Sequence, residues 1–434
     1  MKYIKVCAGV LAGITAVPFF KTTEQTEKIS SEKGSQTGVL HGAVAQLQEK
    51  ILHRCRIEME KSGSPGLVIA ASVDGKTIFS AGIGFADIEN NVLCDSSTVM
   101  RIASISKSMT MTAVAKAYEE GKLDLDKPIY DYLPNFPAKQ YNGKEVVITT
   151  KQLVSHLGGI RHYDKSKKKE LTEKEKEEEE EFKKKEYYIK EEYKSVQDAL
   201  ELFKHDELRH EPGSKYLYTT HGWTVVSAVL EKALKKDFKE IMDNVFRDLG
   251  LKTTHFDENS PIIMNRSRFY VRDKHGRLMN APYVDNSYKW AGGGFVSTVG
   301  DLIQFGNAML YSYQRKDVDK HFNKTLPGYL KRETMEMIWS PIIKTKLDRF
   351  YGMGWGVMPA KKEIAFGDEN RYHVSHSGAA VGASSILMIL PSCKNDTAPA
   401  GVVVAIIVNM QNVHLGHLAL EIAEEVDRWK NNEF

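Results

Sequence analysis

The sequence predicts an α/β (α+β) fold: an antiparallel sheet formed from both chain ends, flanked by helices, and joined to a mostly helical lobe made from the middle of the chain. Three observations carry this. Two β-rich runs flank Asp74-Gly75 near the N-terminus, and two apolar runs, SSILMIL and GVVVAIIV, sit near the C-terminus. Between them, roughly from 101 to 290, helical spacing dominates.

The elements follow in order. Residues 1–21 begin MKYIKVCAGVLAGITAVPFF, with two lysines, no acid and an apolar stretch that ends near Lys21. This is a targeting or anchor segment, its apolar part shorter than the roughly 20 residues of a comfortable membrane span. A secretory signal, a mitochondrial presequence and a short membrane anchor all fit it. Residues 22–42 form a flexible linker, since Thr22 to Gly38 is rich in Ser, Thr, Glu and Lys and has nothing to fold around. The globular domain, 43–434, begins near Ala43, where Leu47, Ile51 and Cys55 recur on one helical face.

After the turn Ser64-Pro65-Gly66 comes GLVIAASVDGKTIFSAGIGFAD. Asp74-Gly75 at its centre suits a type I′ hairpin turn, which needs positive φ at both central positions. The two C-terminal runs are apolar enough to be central strands, and Leu415, Leu418, Ile422 and Val426 then repeat as a closing helix. One segment stands apart. From Lys165 to Lys194 almost every residue is Lys or Glu, so this stretch is expected to be a solvated or disordered insertion.

Composition excludes several functions. The chain has 434 residues, 42% of them hydrophobic, and its 60 basic and 57 acidic residues leave a net charge of +3. That balance offers no excess for a polyanion, so no nucleic-acid partner is expected. Cys7, Cys55, Cys94 and Cys393 lie far apart without a C-x-x-C, which suggests neither a disulfide scaffold nor a metal site. Gly292 to Gly294 lack the strand and lysine of a phosphate-binding loop, and no cofactor is expected.

The chemistry starts at MRIASISKSMTMTAVAKAYEEG. Met109, Ala113 and Ala117 continue at spacing four and Gly121 takes the C-cap position, so Ser104 and Lys107 lie in the first turns of one helix. Residues three apart are neighbours on a helix, whereas Ser106 points elsewhere. A serine hydroxyl needs a base against it, and a desolvated lysine can lose enough charge to serve. The pattern S-x-x-K also occurs at Ser30 and Ser166, but in polar surroundings that cannot bury a lysine.

Five further segments, in order, resemble the serine β-lactamase and penicillin-binding-protein superfamily, especially its class C members. Ser104-Ile105-Ser106-Lys107 matches that family's nucleophile motif. LVSHLGGI resembles L-L-x-H-T-S-G-L, with Gly158 in place of Ser, and EPGSKYLYTTHG resembles P-G-x-x-x-x-Y-S-N, which supplies Tyr218 and puts Thr220 where Asn usually stands. AGGGFVSTVGDLIQFGNAML and YGMGWGV also look like family segments, and His376-Ser377-Gly378 occupies the place of K-T-G. Together these cover about residues 45 to 430. VMRIASISKSMTM, SHLGGIRHY, the charged insertion and YVDNSYKWAGGGF further resemble the animal mitochondrial branch of the family.

The resemblance implies a fold of the β-lactamase and transpeptidase type and an acyl-enzyme on Ser104. Lys107 would sit between Ser104 and Tyr218, with the choice of proton acceptor left open between lysine and tyrosine. The oxyanion hole would be the N–H groups of Ser104 and Ala379, the latter on an edge strand with His376, Ser377 and Gly378 that can pair with an extended substrate. A histidine in place of lysine is only partly charged near neutrality and should hold a substrate carboxylate weakly. Together with Thr220, it argues for a peptide or ester substrate over penicillins. The animal branch implies a serine peptidase or amidase of the mitochondrial intermembrane space, linked to lipid metabolism and able to form homo-oligomeric filaments. A serine esterase close to a membrane and a non-catalytic scaffold are the alternatives.

Overall fold

The computed structural model describes residues 36–163, 185–315, 328–345, 349–362, 369–392 and 398–432. The expected targeting segment, most of the linker and residues 165–184 of the charged insertion lie outside these. Among the described residues the centre is a nine-stranded antiparallel sheet. In chain order its strands are β1 (Gly66–Val73), β2 (Lys76–Asp87), β3 (Val92–Leu93), β4 (Ile343–Lys344), β5 (Phe350–Tyr351), β6 (Gly356–Met358), β7 (His373–Ala380), β8 (Ala383–Pro391) and β9 (Gly401–Val408). Their spatial order is β4-β5-β6-β7-β8-β9-β1-β2-β3, so the last long strand pairs with the first and both chain ends build one sheet.

The hairpin forms as its turn chemistry requires: Val73 pairs with Lys76, and Asp74 and Gly75 have φ of 49° and 79°. Strand β9 is buried at every position and serves two layers by alternation. Val402, Val404, Ile406 and Val408 face helices α1 (Gln36–Ser62) and α6 (Gly416–Asn432), where Ile51, Cys55, Leu418 and Ile422 meet them. Val403, Ala405 and Ile407 face the other layer, which holds α2 (Ile105–Glu119), α3 (His221–Leu234), α4 (Phe238–Asp248) and α5 (Val299–Gln314). Burying each such aliphatic side chain contributes about 1.5–3 kcal/mol, so the sheet is the rigid platform of the molecule.

Two expectations need correction. Helix α1 starts at Gln36, inside the stretch expected to be linker, because extending a helix already nucleated by Leu47 and Ile51 costs little per residue. The charged insertion also ends earlier than Lys194. Residues Lys185–Tyr188 form a 3-10 turn, Ile189 is buried, and Tyr193 N–H donates to Ser287 Oγ at 2.7 Å. The lobe between 101 and 290 carries α2, α3 and α4 but also short hairpins at Lys139–Val146 and Tyr270–Asn280.

Candidate active site

The site lies where the start of α2 meets β7. Ala103 adopts φ of 48°, in the left-handed region, and turns the chain sharply so that Ser104 stands at the head of α2. Ser104 and Lys107 lie one turn apart, with Lys107 Nζ 3.1 Å from Ser104 Oγ. Tyr218 donates its phenolic hydrogen to the same Oγ at 2.7 Å. The sequence-predicted trio is therefore brought together around one oxygen. Ser106, as expected, points away: it donates to the Ala103 carbonyl at 2.6 Å and accepts from Phe295 N–H.

Lys107 is fully buried. Its ammonium group reaches the carbonyl of Gly292, and Thr220 Oγ1 lies 3.4 Å away, so the residue that replaces the usual Asn faces the lysine. Loss of water, followed by repulsion from Lys289, holds Lys107 well below an ordinary lysine. Burial pushes Tyr218 the opposite way, above an ordinary phenol, with the Ser104 hydrogen bond opposing it. The geometry thus joins an amine that gives up its proton more readily than an ordinary lysine, a phenol that keeps its own and a serine hydroxyl. Such a chain can pass a proton from Ser104 to Lys107 while Tyr218 keeps its own.

His156, from the segment LVSHLGGI, steers the tyrosine. Its ring packs 4.3 Å from Tyr218 and 4.7 Å from Tyr351, and its Nδ1 accepts from Thr219 N–H at 3.1 Å. Burial, with Lys107 adding, keeps it neutral.

On the opposite wall, β7 is not an edge strand throughout. It pairs with β6 as far as Ser375, and among the described strands only its portion from His376 to Ala380 is open on that side. His376, Ser377, Gly378 and Ala379 all line the cleft there with Ser104. Gly378 has to be glycine, because a Cβ there would meet Ser385 Oγ at 2.1 Å and the Ile102 carbonyl at 2.3 Å. That contact sets the strand against the loop that carries Ser104.

His376 is neutral, not partly charged. Its Nδ1 lies 2.8 Å from the Ser377 carbonyl and its Nε2 2.9 Å from the Tyr351 hydroxyl. A carbonyl only accepts, so Nδ1 carries the hydrogen and Nε2 accepts from Tyr351. Burial, with Lys107 adding, pushes its pKa down to about 3. The strand therefore offers no cation.

The cleft itself encloses about 1100 Å³. Tyr163, Tyr187, Tyr188, Tyr216, Tyr218 and Tyr351 wall it. Tyr187 and Tyr188 come from the end of the charged insertion, which Glu186 anchors: its carboxylate takes two bonds from Arg161, at 2.7 and 2.8 Å, and lies 3.0 Å from His221 Nε2. Asp285, Asn286 and Tyr288 are buried, with Asn286 donating to Asp257 and Tyr288 to the Glu186 carbonyl. Lys289 is the functional candidate that spacing alone did not single out, although YVDNSYKWAGGGF contains it.

Comparison with known proteins shows the family and the fold. A family model described as Beta-lactamase matches residues 45–425. The chain is 44% identical to the mouse (Mus musculus) protein named "Serine beta-lactamase-like protein LACTB, mitochondrial", over 87% of this chain and 79% of that one. Among solved structures it resembles the octameric penicillin-binding protein homologue from Pyrococcus abyssi, with a TM-score of 0.66 at 20% identity over 87% of this chain and 76% of that one. It also resembles EstCE1, a hydrolase with promiscuous acyltransferase activity, with a TM-score of 0.70 at 19% identity over 88% and 99% of the two chains.

Proposed function

The chain belongs to the beta-lactamase family of serine hydrolases, and on that premise we propose that it is a peptidase or amidase that acts through an acyl-enzyme on Ser104. The observation that carries the reading is the shared hydrogen bonding of Ser104 Oγ with Lys107 at 3.1 Å and Tyr218 at 2.7 Å, around a lysine stripped of water. Lys107 takes the Ser104 proton as Oγ bonds to the substrate carbonyl carbon. The N–H groups of Ser104 and Ala379 receive the oxyanion. As the C–N bond breaks, Tyr218 gives its proton to the leaving nitrogen and regains one from Lys107. Water then repeats the sequence on the acyl group, giving a carboxylic acid and freeing Ser104.

Neutral His376 supports peptides over penicillins, since it gives a carboxylate no charge to hold beside the oxyanion site. Residence in mitochondria, in the intermembrane space, and a link to lipid metabolism belong to the same reading. The mitochondrial name of the mouse relative supports the first of these.

A fluorophosphonate probe tests the class. It should label the wild type and not Ser104→Ala; equal labelling of both would leave only a scaffold of the same fold. Turnover of peptide anilides against acyl esters, with Ser104→Ala as blank, separates amidase from esterase. Fusing residues 1–40 to a fluorescent protein tests location, and a secretory pattern would overturn it.

A further inference from the structure

The seryl site has a second amine beside it whose charge the protein leaves unanswered. Lys289 is buried, at 4% exposure, yet lines the same cleft as Ser104. Its Nζ lies 5.4 Å from the ring of Tyr163, 4.9 Å from that of Tyr187 and 5.1 Å from that of Tyr288. Ring faces attract a cation but cannot neutralise it. Among the described residues no carboxylate pairs with this Nζ.

Asp257, which acts on Lys289, and Glu186, whose backbone carbonyl holds Tyr288, are already committed. Asp257 receives Arg101 Nε at 2.6 Å, Asn286 at 2.5 Å and Arg266 at 3.3 Å. Glu186 is held by Arg161 and His221. A buried, cleft-facing lysine without a counter-ion is costly to the free protein, and an incoming anion removes that cost. The neighbouring strand cannot do the same, since His376 is neutral and bonded to Tyr351.

We propose that Lys289 is the anion-recognition residue of this cleft and selects acyl substrates that carry a carboxylate. The proposal rests on the serine-hydrolase reading and deepens it. Recognition places the carboxylate in the cage of Tyr163, Tyr187 and Tyr288, while the scissile carbonyl lies against Ser104. The charged groups that act on Lys289 are Arg101, which disfavours its ammonium form, and Asp257, which favours it; Lys107, the other amine of the cleft, is neutral when it serves as base. Burial, then Arg101, brings Lys289 down to about 7, so a bound carboxylate should draw a proton onto it.

The test compares acetyl-glutamyl and acetyl-glutaminyl p-nitroanilides in the wild type, Lys289→Met and Lys289→Arg, with fluorophosphonate labelling of Ser104 in each. The wild type should prefer the glutamyl anilide by about tenfold or more, the scale of one charge-assisted hydrogen bond. Lys289→Met should lose that preference through KM, whereas the relief of Lys107 from the repulsion of Lys289 should change kcat for the two anilides and the labelling rate by one common factor. Lys289→Arg should keep the preference, and its KM for the glutamyl anilide should stay flat above pH 7, where the wild-type value rises. A preference that survives in Lys289→Met overturns the proposal and puts the carboxylate on another cation of the cleft, such as Arg349. Equal loss with both anilides and with the probe also overturns it, leaving a structural lysine. A wild type that labels but shows no preference sinks the Lys289 assignment alone, whereas one that does not label sinks the hydrolase reading with it.

Discussion

Tyr218 gives its phenolic hydrogen to Ser104 Oγ at 2.7 Å, and burial keeps that phenol protonated. A neutral phenol beside the nucleophile can serve a poor leaving group, which needs a proton, far more than a good one, which does not. Tyr218→Phe should therefore lower kcat/KM for anilides by about 10²–10⁴, the usual range of one general acid, and for nitrophenyl esters by much less. Equal losses on both would mean that Tyr218 only positions Ser104.

Lys107 must be neutral to accept the proton, so activity should be present above its folded-state pKa and fall as the pH drops through it. Lys107→Arg cannot deprotonate and should lose probe labelling. Stability should move in the same direction. Because burial lowers this pKa below the ordinary 10.5, the unfolded chain binds more protons than the folded one between those two values, and stability rises with pH there. Lys107→Met removes that penalty. Its thermal midpoint at neutral pH should match or exceed the wild type although its activity is gone.

What could be foreseen of this site was what is local in the chain. Ser104 and Lys107 share one helical turn, so their contact follows from spacing three, and the hairpin at Asp74-Gly75 follows from two residues that accept positive φ. Tyr218 and His376 came from motif order and not from any periodicity. The walls of the cleft were illegible for a different reason. Lys289 acquires its character only from Tyr163, Tyr187 and Tyr288, which lie on three separate stretches of chain. Tyr187 and Tyr188 were hidden because composition averaged over Lys165 to Lys194 is set by Lys and Glu, although Tyr187, Tyr188 and Ile189 stand side by side near its end.

The Arg161–Glu186 pair is expected to hold that wall. Both side chains are largely buried, and the two bonds are bidentate. Glu186→Ala leaves Arg161 with the Asp206 carboxylate and the carbonyls of His162 and Leu202, and should cost about 3 kcal/mol, measured by denaturant unfolding, as breaking one side of a buried pair does. Labelling of Ser104 in the protein that remains folded should survive, because the carboxylate of Glu186 is engaged by Arg161 and His221 and the trio of Ser104, Lys107 and Tyr218 is held by its own bonds.

His376 should stay neutral across the physiological range, with its ring signals in NMR unchanged from pH 8 to pH 5, since its pKa lies at about 3. Tyr351→Phe removes the one hydroxyl that Nε2 accepts from and should destabilise the fold by about 1–3 kcal/mol, the cost of an unmet buried polar group. A ring that titrates near pH 6.5 would contradict the tautomer assigned from the Ser377 carbonyl.

Gly378 ties the strand to the nucleophile loop, and the smallest possible change tests that tie. A Cβ at this position meets two different atoms, Ser385 Oγ and the Ile102 carbonyl, and comes within 3.0 Å of the Ala103 side chain. The serine hydroxyl can rotate or be removed; the carbonyl belongs to the backbone that sets Ala103 in its left-handed conformation and hence the aim of Ser104. Gly378→Ala should thus cost about 1–3 kcal/mol in thermal unfolding, as overpacking does. Adding Ser385→Ala should recover part of that stability, because it clears one of the two clashes. It should not recover the labelling rate of Ser104, because the Ile102 contact remains and the strand stays displaced from the loop. Full recovery of labelling in the double variant would show that the hydroxyl alone was at fault and that β7 does not set the position of the serine.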